Sequence, residues 1–275
     1  MITEKYPFLL PIRVAQRKVF FYTSMRFDGH TYAKELQEEQ LPNLIFSAEN
    51  KLYNPDTGFD MVYQENKVFN LKLLAKKLNG LLIKPGETFS FWQAVRHANK
   101  KTPYKEGLVL KNGKICVSSG GGLCQMSNLL FWVFLHSPLL IVERHTHRTK
   151  GFPTLANGEP EGVDATISEG WLDLKMKNNT DRIFQLVITF DDENIVISLL
   201  ANKPGRLIYE IEGKDLSYYR KKDVIVEKIN IYRCERSMDT RNIISEKLLY
   251  ENQREVSYQL PDNTPIIERR PDTNE

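Results

Sequence analysis

The chain has 275 residues, of which 41% are hydrophobic and 27% charged, ordinary values for a globular protein large enough to bury a substantial core. The 38 basic and 35 acidic residues give a net charge of +3 without a long basic stretch, so a nucleic-acid-binding protein is not expected. No apolar segment approaches the roughly 18 residues of a membrane span, and the first residues lack the cleavage pattern of a secretory signal. Three cysteines are too few for a disulfide framework, and we therefore expect a reduced, cytoplasmic protein without a transmembrane segment.

The first 64 residues are predicted to form an N-terminal extension of helical and irregular structure. Apolar and basic residues recur at roughly helical spacing over Pro11–Met25, and residues 40–62 are rich in proline, asparagine, aspartate and glycine. A clearer helix is predicted over about 65–79, because its apolar residues recur every three to four positions and Asn79-Gly80 ends it.

The segment 65–190 is predicted to form the core domain, with a hairpin and a buried helix at its centre. Asn112-Gly113 is a strong hairpin turn signal between two β-prone runs. The helix is predicted over about 124–136; it is apolar on nearly all sides, and Pro138 ends it. Such a helix is typical of one enclosed by other elements.

Strand patterns dominate the chain from Val163 onward. They predict an antiparallel sheet, a β-rich C-terminal region over 191–261 and a disordered tail over 262–275. The predicted fold class is therefore α+β: a buried cysteine-bearing helix packed on an antiparallel sheet, followed by a mostly β C-terminal region. The order of these elements is analogous to that of papain-like and transglutaminase-like enzymes.

A single cysteine follows three glycines at the start of the predicted buried helix, in the stretch Ser118-Ser119-Gly120-Gly121-Gly122-Leu123-Cys124-Gln125. Glycine permits positive φ and close approach of the backbone. In the first turn of a helix, unpaired N–H groups and the positive end of the helix dipole stabilise a thiolate. Cys124 is therefore a candidate nucleophile, and Gly121, Gly122 and Gln125 are candidates for binding the substrate and an oxyanion.

A cysteine nucleophile needs a base and a third group that orients the base. His145 and His147 lie on the predicted continuation of the strand 139–143, where they would share one face, so the sequence does not choose between them. Asp164 is the candidate for orienting the imidazole, and Arg144 is a candidate for binding a substrate carboxylate.

Structural interpretations of the same residues stay open. Cys124 is also consistent with a small buried hydrophobe, and Asp164 with a turn. Cys124, His145 and His147, together with Cys116, could ligate zinc, but no metal-binding spacing such as Cys-x-x-Cys is present. The glycine loop lacks the Gly-Lys-Ser/Thr ending of a P-loop. No metal and no other cofactor is therefore predicted.

Several stretches resemble the VanW family, which is named for an accessory protein of vancomycin-resistance gene clusters. They are Pro85–Phe91, Gly120–Ser127, Glu143–His147, Gly162–Thr166 and Leu172–Asp181. The resemblance implies an accessory role in glycopeptide resistance, with a peptide or a peptidoglycan precursor as ligand. Two functions are then expected: a cysteine-dependent amidase, peptidase or acyltransferase, or a non-catalytic protein that recognises a cell-wall peptide or an anion. The sequence specifies neither the substrate nor the oligomeric state.

Overall fold

The computed structural model describes residues 6–54, 58–111, 114–151 and 158–268. The predicted α+β class is confirmed, because helices and mostly antiparallel sheets pack around a shared hydrophobic core. In the part of the chain described, no helix is both long and apolar enough to cross a membrane.

The helices lie in the first half of the chain. After a short 3-10 turn at Pro7–Leu9, they are α1 (Leu10–Ser24), α2 (Val62–Leu78), α3 (Phe91–Ala94) and α4 (Leu123–Leu135). Helix α4 carries Cys124 as its second residue and lies among α2 and the strands of the core. Its fully buried large apolar side chains each contribute about 1.5–3 kcal/mol to folding, so the helix is firmly held.

Two four-stranded sheets contribute to the core. The first has the order β1 (Thr31–Tyr32), β4 (Glu87–Ser90), β9 (Lys175–Lys177) and β7 (Leu140–Glu143). The second has the order β2 (Asn43–Lys51), β11 (Asn194–Ala201), β10 (Phe184–Phe190) and β3 (Leu82–Ile83). Both sheets join strands that are far apart in sequence, so neither can form without long-range pairing.

The remaining strands form a hairpin and a C-terminal sheet. The hairpin consists of β5 (Glu106–Lys111) and β6 (Lys114–Ser119); the predicted Asn112-Gly113 turn itself lies outside the described residues. The C-terminal sheet has the order β15 (Ile266–Glu268), β12 (Leu207–Lys221), β13 (Val224–Ser237), β14 (Ile243–Val256) and β8 (Thr149–Lys150). Strand β8 brings the segment after the histidines onto this sheet.

Three elements differ from the sequence analysis. Strand β2 was not predicted, yet it pairs with β11 along its whole length and joins the N-terminal region to the core. The predicted strand over 163–167 is irregular backbone. In the tail expected to be disordered, β15 pairs in parallel with β12, while residues 269–275 lie outside the described part of the chain.

Candidate active site

The glycine loop fixes the start of α4 through close backbone contacts. Gly120 and Gly122 have φ values of +81° and +92°, which favour glycine. A Cβ on Gly121 would lie 2.3 Å from the carbonyl carbon of Gly107, and the Gly121 carbonyl accepts a hydrogen bond from Nδ2 of Asn70 at 3.0 Å. Gly121 is thus packed between the β5–β6 hairpin and α2. It is not among the residues lining the cleft described below, contrary to the predicted substrate contact.

Cys124 is half-buried, and hydrogen-bonding groups surround its sulfur. Sγ lies 3.7 Å from Oγ1 of Thr166, and the backbone N–H of Ile167 also donates to it. The imidazole of His147 makes the third hydrogen bond. Sequence analysis missed Thr166 and Ile167, because nothing in their local pattern shows that this irregular segment passes over the start of α4.

His147 is held by Asp164 through both its ring and its backbone. Nδ1 of His147 lies 2.8 Å from Oδ1 of Asp164, and the His147 backbone N–H donates to Oδ2 at 2.6 Å. The hydroxyl of Thr146 donates to the same Oδ2 at 2.9 Å. Asp164 is buried, so these bonds fix its carboxylate and leave Nε2 of His147 free to bond with the thiol.

The charges of these three groups reinforce one another. Burial alone would raise the pKa of the Cys124 thiol, but the hydrogen bond and positive charge of His147 lower it below its usual range. Burial would lower the pKa of His147, but Asp164 and Cys124 together raise it to about 10. Despite its burial, Asp164 has its pKa lowered to about 2, chiefly by His147. The hydrogen bonds and charges of the site therefore favour a thiolate–imidazolium pair more than an isolated cysteine and histidine would.

His145 belongs to a different cluster. Strand β7 ends at Glu143, so the strand alternation that would place both histidines on one face does not extend to them. Nε2 of His145 lies 3.0 Å from Oε1 of Glu143, whose other oxygen lies 3.0 Å from Nζ of Lys175. Of the two histidines, only His147 contacts Cys124 and Asp164 among the described residues.

Arg144 supports the backbone, and its predicted role in binding a substrate carboxylate is not supported. Its Nε donates to the carbonyl of Asp164 at 2.7 Å, and its Nη2 donates to Oδ1 of Asn252 at 2.7 Å and to the carbonyl of Gly162 at 3.2 Å. The guanidinium also lies 4.1 Å from the centre of the Tyr250 ring. Nε and Nη2 are therefore bonded within the protein, so Arg144 holds the backbone at Asp164 and is not among the residues that line the cleft described below.

Gln125, the predicted oxyanion donor, is bonded to another segment, whereas Asn128, for which the sequence predicted no role, has a donor beside the cleft. Nε2 of Gln125 donates to the carbonyl of Lys51 at 2.8 Å, which engages the predicted oxyanion donor elsewhere. Asn128, one turn after Cys124, accepts the Ala165 N–H at 2.8 Å through Oδ1 and lines the same cleft as the thiol. Because the amide oxygen must face that N–H, the NH2 group of Asn128 is left as a donor.

A cleft with a volume of about 700 Å³ runs past Cys124 and His147. Its walls include hairpin residues, the start of α4 and the segment after Asp164. Lys150 and Arg254 also line it, and both are bonded to the fully buried Glu227, at 2.9 and 2.8 Å. Glu161 bonds both cations as well, so this buried group has two positive and two negative charges and no net charge.

The zinc ligands considered from the sequence do not form a three-ligand group among the described residues. The group whose ligand atoms do lie within 4.8 Å of one another is Glu212, Cys234 and Glu246, on the C-terminal sheet. There, Nζ of Lys214 lies 2.6 Å from Oε2 of Glu246 and 3.2 Å from Oε2 of Glu212. The lysine ammonium thus already pairs with both carboxylates.

The fold and the site define an α+β protein with a Cys–His–Asp cluster at the start of a buried helix, beside a cleft. Residues 66–200 match the family described as VanW like protein. The chain is 54% identical over 267 residues, 97% of each protein, to "Vancomycin B-type resistance protein VanW" of Enterococcus faecalis (strain ATCC 700802 / V583). The chain therefore belongs to the VanW family.

A second relative is more distant. The chain is 30% identical over 162 residues to "Uncharacterized protein YoaR" of Bacillus subtilis (strain 168), covering 54% of this chain and 52% of that protein. No solved structure matches the chain.

Proposed function

We propose that this protein is a cysteine-dependent amide hydrolase or acyltransferase that acts on a peptide. The observation that supports it best is the contact of Cys124 with His147, itself bonded to Asp164, along one wall of an open cleft. A structural cysteine needs no charged partner, whereas a nucleophile needs a proton acceptor and a group that orients it. As part of this proposal, we regard the order of the structural elements as analogous to that of papain-like and transglutaminase-like enzymes.

In the proposed reaction, the Cys124 thiolate attacks the carbonyl carbon of an amide, and the carbonyl π electrons move to oxygen. The oxyanion is stabilised by the backbone N–H of Cys124 at the helix start and by the NH2 group of Asn128. When the oxyanion collapses, the C–N bond breaks and the amine leaves with a proton from the His147 imidazolium. A thioester on Cys124 remains.

The second half of the reaction releases the acyl group. Water or an amine attacks the thioester carbon while neutral His147 accepts its proton, and the C–S bond breaks to regenerate the thiolate. Water as acceptor gives hydrolysis, and an amine gives acyl transfer. Asp164 stays ionised throughout and stabilises the imidazolium.

The name of the Enterococcus relative suggests the biological setting. We propose that this chain has an accessory role in glycopeptide resistance and that its peptide ligand is a peptidoglycan precursor. The alternative is a non-catalytic protein that recognises a cell-wall peptide or an anion through the glycine loop, Arg144 and the histidines. It has less support because Nε and Nη2 of Arg144 already donate to Asp164, Gly162 and Asn252. The cysteine chemistry is therefore the better-supported interpretation.

The test is the pH dependence of Cys124 alkylation, read by mass spectrometry, with Cys116 and Cys234 as internal references. We expect Cys124 to react selectively below neutral pH, where an ordinary thiol with a pKa near ~8.5 is protonated. His147→Ala should move this reactivity to higher pH, because burial then acts without the opposing imidazolium. His145→Ala is the matched control and should leave it unchanged. Slow alkylation of folded wild type, or an unchanged profile in His147→Ala, would overturn the proposal.

A further inference from the structure

Helix α1 and its flanks present a row of large apolar side chains to solvent. Phe8, Ile12, Val19, Phe20 and Phe27 are exposed to 71%, 56%, 68%, 76% and 83%. Within the helix, Ile12, Val19 and Phe20 follow i, i+7 and i+8 spacing, which places them on one side. Phe8 and Phe27 lie just beyond the two ends. We call these five residues the outward row.

The opposite side of α1 attaches the helix to the body of the protein. Phe21 and Tyr22 pack against the core, and Met25 is buried. The hydroxyl of Tyr22 donates to Oε1 of Glu169 at 2.9 Å, and Lys18 forms an ion pair with the same carboxylate. The outward row is therefore not the packing face of α1, and within the described residues its large side chains stay exposed.

The charges along the outward row are mainly positive, and Asp28 follows it directly after Phe27. From Tyr6 to Phe27 the sequence contains no aspartate or glutamate, but it contains Arg13, Arg17, Lys18 and Arg26. Arg13 and Arg26 are exposed, and Arg17 lies 4.5 Å from the centre of the half-exposed Trp171 ring. An apolar row on a helix whose own charges are all positive is the pattern of helices that lie on anionic lipid surfaces.

We propose that α1 binds the surface of an anionic membrane, with the outward row inserted at the boundary between headgroups and acyl chains. At 15 residues, or roughly 22 Å, the helix is too short to span the hydrocarbon region but long enough to lie along it. Arg13 and Arg26 then bind lipid phosphates electrostatically, and binding weakens as salt rises.

The attachment of α1 relates this surface to the cleft. Glu169 and Trp92 both line the cleft, and the Tyr22 hydroxyl bonds to Glu169. A membrane bound along α1 therefore lies near the rim of the site. A substrate attached to a lipid would be presented to Cys124 there; this last step rests on the proposed function, whereas the membrane binding does not.

The test is co-sedimentation of the full chain with vesicles of phosphatidylcholine, with and without phosphatidylglycerol. We expect binding to the anionic vesicles only, weakened about tenfold or more in Phe20→Glu because a carboxylate replaces an inserted ring. Ile244→Glu is the matched control: it is 60% exposed on β14 and should bind like wild type. An unchanged pH profile of Cys124 alkylation in Phe20→Glu establishes that the variant is folded.

Three results would overturn this inference. Wild type would fail to bind anionic vesicles, or Phe20→Glu would bind as well as wild type. The third result is a wild-type dimer in gel filtration that Phe20→Glu converts to a monomer. It would mean that the outward row binds a second copy of the chain. None of these results changes the reactivity of Cys124, so failure here is distinguishable from failure of the proposed enzyme chemistry.

Discussion

His147 and Asp164 are joined twice, through the ring Nδ1 at 2.8 Å from Oδ1 and through the backbone N–H at 2.6 Å from Oδ2. The backbone bond places the segment carrying His147 against the carboxylate, and the side-chain bond fixes which ring nitrogen faces it. The backbone bond alone would leave the imidazole free to turn, and the side-chain bond alone would leave the backbone of His147 unfixed. Together they direct Nε2 to the sulfur of Cys124, which is the geometry that a thiolate–imidazolium pair requires.

Asp164→Asn removes the negative charge but keeps an acceptor for the backbone N–H. The lowered pKa of Asp164 means that its contribution to stability is present above the ordinary carboxyl pKa of ~3.9 and is lost as pH falls toward about 2. We therefore expect Asp164→Asn to be less stable than wild type by roughly 2 kcal/mol near neutral pH, with a difference that shrinks in acid. Urea unfolding at several pH values measures it.

The same variant also changes the titration of the imidazole. Without the carboxylate, the pKa of His147 should fall from its raised value, which NMR titration of the ring protons would detect. The control is Asp181→Asn, because Asp181 is exposed and pairs with Lys203 at the surface. Equal stability of Asp164→Asn and wild type at all pH values would contradict the electrostatic account.

Gly122→Ala should destabilise the protein for two separable reasons. The residue has φ of +92°, and its new Cβ would lie 2.2 Å from Cγ of Lys67. Gly86→Ala is the matched control, since Gly86 has φ of +80° and no atom within 4 Å of the Cβ position. We expect a loss of about 1 kcal/mol for Gly86→Ala and about 2–3 kcal/mol for Gly122→Ala, measured by denaturant unfolding.

A double variant identifies the origin of the difference. Lys67→Ala removes Cγ and should recover most of the additional loss in the Gly122→Ala background. If the two substitutions are simply additive, the contact between Lys67 and Gly122 does not explain why glycine is needed at this position.

Arg144→Lys should destabilise the fold and disorder the site, although the positive charge is retained. The lysine ammonium cannot reproduce the planar fork that bonds Asp164, Gly162 and Asn252 together. We expect the free energy of unfolding, measured by thermal or denaturant unfolding, to fall by about 2–4 kcal/mol. Arg148→Lys is the control, because Arg148 is 85% exposed and its ion pair with Glu255 contributes little. Similar stabilities of the two variants would contradict a structural role for Arg144.

The local sequence pattern was sufficient to predict where α4 starts. A glycine triplet before an apolar run predicts both a loop and a buried helix, and the structure places α4 within one residue of that prediction. The order of cysteine, histidine and aspartate was also visible in the sequence. The structure places these three residues close together, as the sequence analysis expected. Their catalytic role is a proposal.

The contacts that sequence analysis did not predict are made with residues that are distant in sequence. The sequence suggested Gln125 as an oxyanion donor. In the structure its amide donates to the carbonyl of Lys51 on β2, which is 74 residues away in sequence. The sequence suggested that Arg144 binds a substrate carboxylate. In the structure its guanidinium donates to Asn252, which is 108 residues away in sequence. The choice between the two histidines depended on where β7 ends, and strand ends are poorly encoded by alternation alone.

The site is assembled from two stretches of chain that meet at Ala165. Its carbonyl accepts the Ser127 hydroxyl at 2.6 Å, and its N–H donates to Oδ1 of Asn128 at 2.8 Å. The stretch that carries Cys124 is thereby fastened to the stretch that carries His147 and Asp164. The exchange rate of this single amide hydrogen with deuterated solvent therefore reports how often the two halves separate, and with them the nucleophile from its base.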